Sequence, residues 1–216
     1  MKILITAREL AENITEYLIL DARNREEYEK SHIQGAVHIP GDPLLKEGDD
    51  FMSRANFTAM MGRLGITNAC KIVVYDDGNG RAPARFWFVA KHYGHGDIFV
   101  LDGGWPAAVY LPQSTEEPAP SPADYTTAIT PGYIVSTQDI LDGLGSIKIL
   151  DVRTLEEYTG IDLYGNPRGG HIPGAINVSH TKFLDASPAR YFIDTDKITS
   201  IMDNAGINKK DFIVPC

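Results

Sequence analysis

Cys216 is the residue whose type and position are best suited to covalent chemistry. It follows the apolar run at 212–214, which is typical of a buried parallel strand. Sites in parallel sheets form at the carboxyl ends of strands, and a thiolate there can act as a nucleophile. The apolar run at 72–75 likewise ends at Asp76, so both positions are expected to lie at strand ends.

The other cysteine and the histidines indicate no metal chemistry. Cys70 lies in the turn before the run at 72–75 and is expected to be structural. Two cysteines make no disulfide framework, and the sequence has no C-x-x-C pair or Cys/His cluster of the zinc-binding type. We therefore expect no metal and a reducing, cytoplasmic compartment.

The chain contains an internal repeat. The segment DARNREEY at 21–28 matches DVRTLEEY at 151–158 at five of eight positions. Three further matches follow in the same order: HIQGAV at 32–37 with HIPGAI at 171–176, LGI at 64–66 with AGI at 205–207, and IVVYD at 72–76 with FIVPC at 212–216. Matched blocks in one order indicate a duplicated domain, in which Asp76 corresponds to Cys216.

The domain limits follow from the repeat and from a proline-rich stretch. Residues 112–131 hold five prolines and no sustained apolar period, which suits an extended, semi-rigid linker. We predict a first domain at 1–112, a linker at 113–130 and a second domain at 131–216.

Short apolar runs alternate with amphipathic stretches in both domains. Strand-like runs lie at 17–20, 72–75, 98–101, 147–150 and 212–214. Helical spacing places Phe57, Met60, Met61 and Leu64 on one face, and Phe86, Val89, Ala90 and Tyr93 on another. This alternation predicts an α/β fold, in which each domain has a mostly parallel sheet covered by helices.

The Asp-x-Arg segments at 21–23 and 151–153 recur in both repeats and are expected to be structural. Since they also occur in the repeat that lacks the cysteine, we expect that the chemistry does not need them. Each pair is expected to form a local ion pair that fixes a turn. The glutamates at 26–27 and 156–157 are further candidate partners of the arginines.

Arg168 is the cation predicted to bind an anionic substrate. It lies in the Gly/Pro segment at 166–171, within a nine-residue expansion that only the second repeat carries. A guanidinium suits the oxygens of an anion, although a solvated loop arginine is the alternative. His171, like its counterpart His32, is expected to fix a turn by hydrogen bonding.

The ordered blocks, found twice, resemble the rhodanese family of sulfurtransferases. The D-G-G-W at 102–105 is similar to the domain-end signature of that family, and the resemblance covers nearly the whole chain. It implies two tandem rhodanese-like domains, the first inactive with Asp76 at the cysteine position and the second catalytic. It also implies that Cys216 takes sulfane sulfur from a small anionic donor, thiosulfate or 3-mercaptopyruvate, and forms a persulfide. A thiophilic acceptor such as cyanide or a thiol then removes this sulfur, with no organic cofactor.

The resemblance bears on two further positions. In mercaptopyruvate-type relatives, an aspartate placed like Asp42 faces the cysteine across the domain cleft, which implies a substrate-binding role for Asp42. An arginine that such relatives place before the tyrosine of the E-Y-T-G block is here Glu157, so their donor specificity does not carry over.

The second repeat stops where the first continues. Domain 1 extends 35 residues from Asp77 to Leu111, whereas the sequence ends at Cys216. We expect the second domain to be incomplete and the 216-residue chain to be inactive, because the loop that would surround the sulfur follows Cys216 in this family.

Composition and charge argue against several other classes of protein. A net charge of -9 and a pI of about 5.1 argue against a general nucleic-acid binder. No uncharged apolar run approaches the roughly 18 residues of a membrane helix, and the N-terminus lacks the pattern of a secretory signal. The oligomeric state stays open.

Two other functions stay open at this point. The chain could be a non-catalytic rhodanese-like binding or sulfur-relay module. Cell-cycle protein phosphatases share the fold and use a cysteine followed by five residues and an arginine. The residues after Cys216 would separate these alternatives.

Overall fold

A computed structural model describes residues 2–40, 46–47 and 50–216. The chain forms two compact units, one of Met1–Tyr133 with Ser187–Arg190 and one of Ile134–Ala186 with Tyr191–Cys216. The repeat-based limits of the two domains remain predictions.

The first unit is built on a five-stranded sheet in which every pairing is parallel. In spatial order its strands are β1 (Leu4–Ile5), β8 (Ile98–Leu101), β7 (Lys71–Tyr75), β2 (Tyr17–Asp21) and β4 (Val37–His38). Two short antiparallel pairs accompany it: β3 (His32–Ile33) with β9 (Gln113–Ser114), and β5 (Lys46–Glu47) with β6 (Asp50–Phe51). The predicted parallel α/β arrangement is confirmed in this unit.

Both faces of this sheet are buried, which explains why its strands read as continuous apolar runs. Along β7, Ile72 and Val74 belong to one hydrophobic cluster, and Val73 and Tyr75 belong to the other. Side chains alternate across a strand, so each cluster packs against one face of the sheet.

Helices cover the sheet of the first unit. They are α1 (Ala7–Glu12), α2 (Arg25–Lys30), α3 (Arg54–Arg63), α4 (Arg81–His92) and α5 (Gly104–Ala108). The predicted apolar faces are confirmed: α3 buries Phe57, Met60 and Met61, and α4 buries Phe86, Val89 and Ala90.

The proline-rich segment 113–130 runs along the first unit. Tyr125 is buried in its core with the ring 6.2 Å from that of Phe57. Arg54 donates to the Thr127 side chain at 2.8 Å and to the Thr127 carbonyl oxygen at 2.5 Å. The Ala123 N–H donates to the Gly62 carbonyl oxygen at 2.9 Å. We call residues 113–130 the strap, because its side chains and backbone fasten it to α3 and the core.

The second unit repeats the central part of this arrangement. Its sheet has the order β11 (Ile176–Asn177), β10 (Lys148–Asp151), β12 (Ile213–Pro215), and both pairings are parallel. Its helices are α6 (Thr137–Asp142), α7 (Leu155–Thr159) and α8 (Thr195–Asn204). The repeat blocks relate β10, β11 and β12 to β2, β4 and β7.

No helix in the described part of the chain is long and apolar enough to cross a membrane.

Candidate active site

Cys216 directly follows β12 at the carboxyl end of the sheet in the second unit. Its N–H donates to the Leu150 carbonyl oxygen at 2.9 Å, and its carbonyl oxygen accepts from the Val152 N–H at 3.0 Å. These bonds hold it level with Asp151 on β10. Cys216 is exposed, so a thiol stands at an accessible strand end, as its sequence context predicts.

The strand register differs by one residue between the two units. Asp21 is paired with Tyr75 in the first unit, whereas the corresponding Asp151 is level with Cys216 in the second. A shift of one residue turns a side chain to the other face of a sheet. Cys216 and Asp76 are therefore matched in the sequence repeat but not in strand register.

A cavity of about 330 Å³ lies at this strand end. Its lining comes from the end of β10, the loop before the His-Ile-Pro-Gly segment, and the end of β12. The lining residues are Asp151, Arg153, Gly169, Gly170, His171, Ile172 and Cys216. The fold thus brings the thiol into one cavity with a cation, a carboxylate and an imidazole.

Asp151 and Arg153 form the predicted ion pair, which is confirmed. Arg153 Nη2 lies 2.6 Å from Asp151 Oδ2, and Nε donates to both carboxylate oxygens at 3.1 and 3.2 Å. Nη2 also donates to the Gly170 carbonyl oxygen at 2.9 Å, which fixes the loop beside the thiol. Burial alone would raise the pKa of Asp151, but the hydrogen bonds from Arg153 hold it below its ordinary value.

The first unit repeats this pair. Arg23 Nη2 lies 2.7 Å from Asp21 Oδ2 and donates to the Ser31 carbonyl oxygen. The expectation that the glutamates bind these arginines was wrong. Glu157 instead accepts hydrogen bonds from the Thr154 N–H and hydroxyl at the start of α7, because a carboxylate three residues into a helix satisfies the exposed N–H at its N-terminus.

The charges around Cys216 oppose each other. Partial burial of the sulfur and the Asp151 carboxylate raise the pKa of the Cys216 thiol, and the Arg153 guanidinium offsets part of this rise. Since the thiolate is the nucleophilic form, the described surroundings favour the less reactive thiol. Arg153 lowers the pKa of the thiol and so favours the reactive thiolate.

His171 is held by a stacked tyrosine. Its ring lies 3.7 Å from that of Tyr158, and Nδ1 is 2.8 Å from the Tyr158 carbonyl oxygen. Because a carbonyl can only accept, Nδ1 carries the hydrogen. His32 makes the same stack and bond with Tyr28, so the predicted turn-fixing role is confirmed in both repeats.

Arg168, the predicted anion-binding residue, is not in the cavity lining. Arg168 is exposed, and its neighbours Gly169 and Gly170 line the cavity instead. A Cβ atom on Gly169 would lie 2.8 Å from Gly160 Cα, so the expansion loop is closed tightly at its base. Asp42 lies outside the described residues.

Arg153 is the residue that sequence reasoning did not propose for the site. Its recurrence in both repeats predicts a structural residue, yet its side chain is 34% exposed and lines the cavity. The available signal was its place two residues beyond a strand-end aspartate, at the same edge of the sheet as Cys216. Within the described residues, no group of three or more His, Cys, Asp or Glu could hold a metal ion.

Comparison with known proteins identifies the class of protein to which these parallel α/β units and the strand-end cysteine belong. The rhodanese-like domain model matches residues 6–109 and again residues 136–216. The chain therefore belongs to the rhodanese-like family, as the sequence blocks implied.

Named relatives of this chain work in sulfur transfer. It is 32% identical over 211 residues to a sulfur carrier protein, TtuD, of Thermus thermophilus, an alignment covering 88% of this chain and 72% of that protein. It is 32% identical to a thiosulfate sulfurtransferase of Corynebacterium glutamicum, with 70% and 56% covered. It is 30% identical to a 3-mercaptopyruvate sulfurtransferase of Mus musculus, with 74% and 58% covered. The chain thus spans less than two thirds of the length of these two sulfurtransferases.

The fold agrees with solved structures of the family. The crystal structure of SseA from Escherichia coli, a 3-mercaptopyruvate sulfotransferase, matches with a TM-score of 0.87 and 25% identity, covering all of this chain and 88% of that one. A 3-mercaptopyruvate sulfurtransferase from Leishmania major matches in fold with a TM-score of 0.82.

Proposed function

We propose that this protein is a sulfurtransferase that carries sulfane sulfur on Cys216. The observation that supports this most is the exposed Cys216 thiol, at a strand end in one cavity with Arg153, in a chain whose relatives include two types of sulfurtransferase. The proposed donor is a small anion, thiosulfate or 3-mercaptopyruvate, and the acceptor is a thiophile such as cyanide or a thiol.

The proposed reaction has two half-reactions. The Cys216 thiolate attacks the outer sulfur of thiosulfate, a new S–S bond forms, and sulfite leaves with the electron pair of the broken S–S bond. Cyanide or a thiolate then attacks the outer sulfur of the persulfide, and the Cys216 thiolate leaves. Charge and atoms balance without a metal, an organic cofactor or an external oxidant. The mechanism needs an unpaired thiol, which fits the reducing, cytoplasmic compartment expected from the sequence.

Two arginines are candidates to bind the anionic donor. Arg153 lines the cavity, and its guanidinium suits the oxygens of thiosulfate. Arg168 lies on the loop that ends in Gly169 and Gly170, which line the cavity. We propose that its side chain also contributes to binding the donor. The role proposed for Asp42 rests on the family resemblance alone.

The test is an intact-mass measurement, after treatment with thiosulfate, on the protein that includes the loop expected to follow Cys216, since the 216-residue chain alone is expected to be inactive. We expect one added sulfur, about 32 Da, that cyanide removes, because a persulfide is a reversible modification of a cysteine. The variant Cys70→Ser should still take up sulfur, and Cys216→Ser should not. An adduct that persists in Cys216→Ser, or no adduct in the folded parent, would rule out the assignment.

A sulfur-relay module is the second candidate function, favoured by the naming of one relative as a sulfur carrier protein. A relay takes up one sulfur and passes it to a specific partner, so it forms the persulfide but turns over slowly with cyanide. Thiocyanate formation measured under excess thiosulfate and cyanide separates the two: many turnovers per chain indicate an enzyme, and a single equivalent indicates a relay.

A further inference from the structure

The side chain of Asn177 is bound to the backbone of the turn that carries Arg153. Asn177 ends β11 and lies level with Asp151 on β10. Its Nδ2 donates to the Asp151 carbonyl oxygen at 3.1 Å and to the Arg153 carbonyl oxygen at 3.0 Å. Carbonyl oxygens only accept hydrogen bonds, so the amide nitrogen, and not the amide oxygen, must face the turn. One amide group therefore spans both ends of the turn.

The turn is also held from its other side. The Arg153 N–H donates to Asp151 Oδ1 at 3.0 Å, so the carboxylate binds the backbone donor of Arg153 while Asn177 binds its backbone acceptor. The side chain of Arg153 is 34% exposed, so packing alone does not fix it. Hydrogen bonds on both sides of its backbone thus set the point from which the guanidinium extends into the cavity.

The first unit makes the same contact with a different residue. His38 lies opposite Asp21 on the neighbouring strand, as Asn177 lies opposite Asp151. Its Nε2 is 2.9 Å from the Arg23 carbonyl oxygen. A donor at this register position therefore binds the arginine carbonyl in both units, although the two side chains differ in chemistry.

We propose that Asn177 is a positioning residue, which clamps the turn so that the Arg153 guanidinium faces the Cys216 thiol and an anionic sulfur donor. The effect on the donor rests on the proposed function, whereas the effect on the thiol rests on the geometry of the second unit. Asn177 itself is not in the cavity lining, so it acts through Arg153.

The direction of the effect follows from the charges around the thiol. Asp151, Arg153 and His171 share the cavity with Cys216, and Arg153 lowers the pKa of the thiol. The backbone of Asp151 stays in place without Asn177, because its carbonyl oxygen also accepts from the Val178 N–H at 3.0 Å. Loss of the clamp therefore releases the guanidinium and leaves the opposing carboxylate, which raises the pKa of Cys216.

The first test follows alkylation of Cys216 by iodoacetamide from pH 6 to 11 in the full chain carrying Cys70→Ser. Asn177→Leu keeps the branched shape of the side chain and removes both donors. It should raise the midpoint by about half a pH unit or more, since an opposite charge close to a titrating group changes its pKa by about one unit or more. An unchanged midpoint in the folded variant would overturn the proposal.

A matched control removes the same kind of bond elsewhere in the second unit. Asn166 Nδ2 donates to the Leu163 carbonyl oxygen at 3.0 Å, and Asn166 is not in the cavity lining. Asn166→Leu should leave the midpoint of Cys216 where it is in the parent. A shift equal to that of Asn177→Leu would show a general loosening of the unit and overturn the positioning role.

A double-mutant cycle separates positioning from other effects. In a chain that already carries Arg153→Gln there is no guanidinium to position, so adding Asn177→Leu should not move the midpoint further. Additive shifts would show that Asn177 acts on the thiol by another route and would overturn the proposal. Asn177→His, which supplies the donor that the first unit uses, should restore most of the midpoint of the parent.

Two further measurements complete the test. If Asn177→Leu does not fold by near-ultraviolet circular dichroism, Asn177→Ser replaces it, because a hydroxyl has only one hydrogen to donate to the two carbonyl oxygens. Its midpoint should also rise, and an unchanged one would overturn the proposal. In the protein that includes the loop expected to follow Cys216, Asn177→Leu should raise the KM for thiosulfate in the same direction as Arg153→Gln. A shifted midpoint with an unchanged KM would overturn the part that concerns the donor. Absence of sulfur uptake by the parent would count against the proposed function only, because alkylation needs no donor.

Discussion

Asp151 and Arg153 act on the Cys216 thiol with opposite signs. The carboxylate raises the pKa of the thiol and the guanidinium lowers it. We expect Asp151→Asn to lower the pKa of Cys216 and Arg153→Gln to raise it. One pKa unit changes the thiolate fraction by about tenfold at a pH below both values. The rate of persulfide formation in the parent should also rise with pH past the ordinary thiol pKa.

These shifts can be followed by the pH dependence of Cys216 alkylation, with Cys70→Ser as the common background. Near-ultraviolet circular dichroism checks that each variant keeps its packing. If the alkylation midpoints of Asp151→Asn and Arg153→Gln moved in the same direction, the pKa of the thiol would depend on the intact ion pair and not on the charge of each partner.

Arg168 can be tested as a binding residue separately from the fold. If its guanidinium binds the donor, Arg168→Ala should raise the KM for thiosulfate by about tenfold, since a charged hydrogen bond contributes roughly 1.5–3 kcal/mol. The melting temperature should not change, because Arg168 is exposed. Arg8→Ala is the matched control, as its side chain is 88% exposed and the same charge is removed. Equal KM values for Arg168→Ala and Arg8→Ala would mean that Arg168 does not bind the donor and is only a surface charge.

At the scale of elements, the strap is held in part by a buried hydrogen bond to His95, a residue that can gain a proton as the pH falls. Tyr125 donates its hydroxyl hydrogen to His95 Nδ1 at 3.1 Å, and His95 Nε2 lies 3.0 Å from the Cys70 carbonyl oxygen. Burial lowers the pKa of His95, so the folded state favours the neutral ring. Stability is therefore full above the pKa of the unfolded histidine, near 6.5, and falls as the pH decreases below it.

Urea denaturation of the parent should show this loss as the pH falls below about 6.5, and His95→Gln should give a flatter profile there. Tyr125→Phe should lower the free energy of unfolding by about 1 kcal/mol, and Tyr125→Ala by about 3–5 kcal/mol. A Tyr125→Ala protein as stable as the parent would mean that the strap adds nothing to the core.

The elements were largely predictable because their signals are local. The runs at 72–75 and 98–101 are apolar on both faces, and Phe86, Val89 and Ala90 have helical spacing. The strap was not predictable as part of a core, because its prolines indicate extended chain and say nothing about what Tyr125 contacts. Arg153 was missed for a related reason: its pairing with Asp151 follows from the sequence, but its place in the cavity depends on β12, which lies 60 residues further along the chain.

At the scale of the whole molecule, the strap changes which fragment should fold alone. A fragment of residues 1–112 has the five-stranded sheet but lacks Tyr125, Thr127 and the bonds they make. We expect residues 1–133 to unfold cooperatively in urea and to exceed 1–112 in stability by about 3 kcal/mol or more, since removing a buried aromatic ring costs this much. Equal unfolding curves for the two fragments would show that the domain ends at 112.

The strap also sets a condition on synthesis. The ring of Phe57 and the start of α3 leave the ribosome well before Tyr125 and Thr127, which complete their surroundings. Until then the nascent chain presents an unfinished apolar groove, at an elongation rate of about 5–20 residues per second. A slow stretch of codons between 63 and 123 would prolong that exposure, whereas one placed beyond 133 would give the first unit time to close before the second emerges. Codon choice alone could thus alter the yield of folded protein without changing a residue.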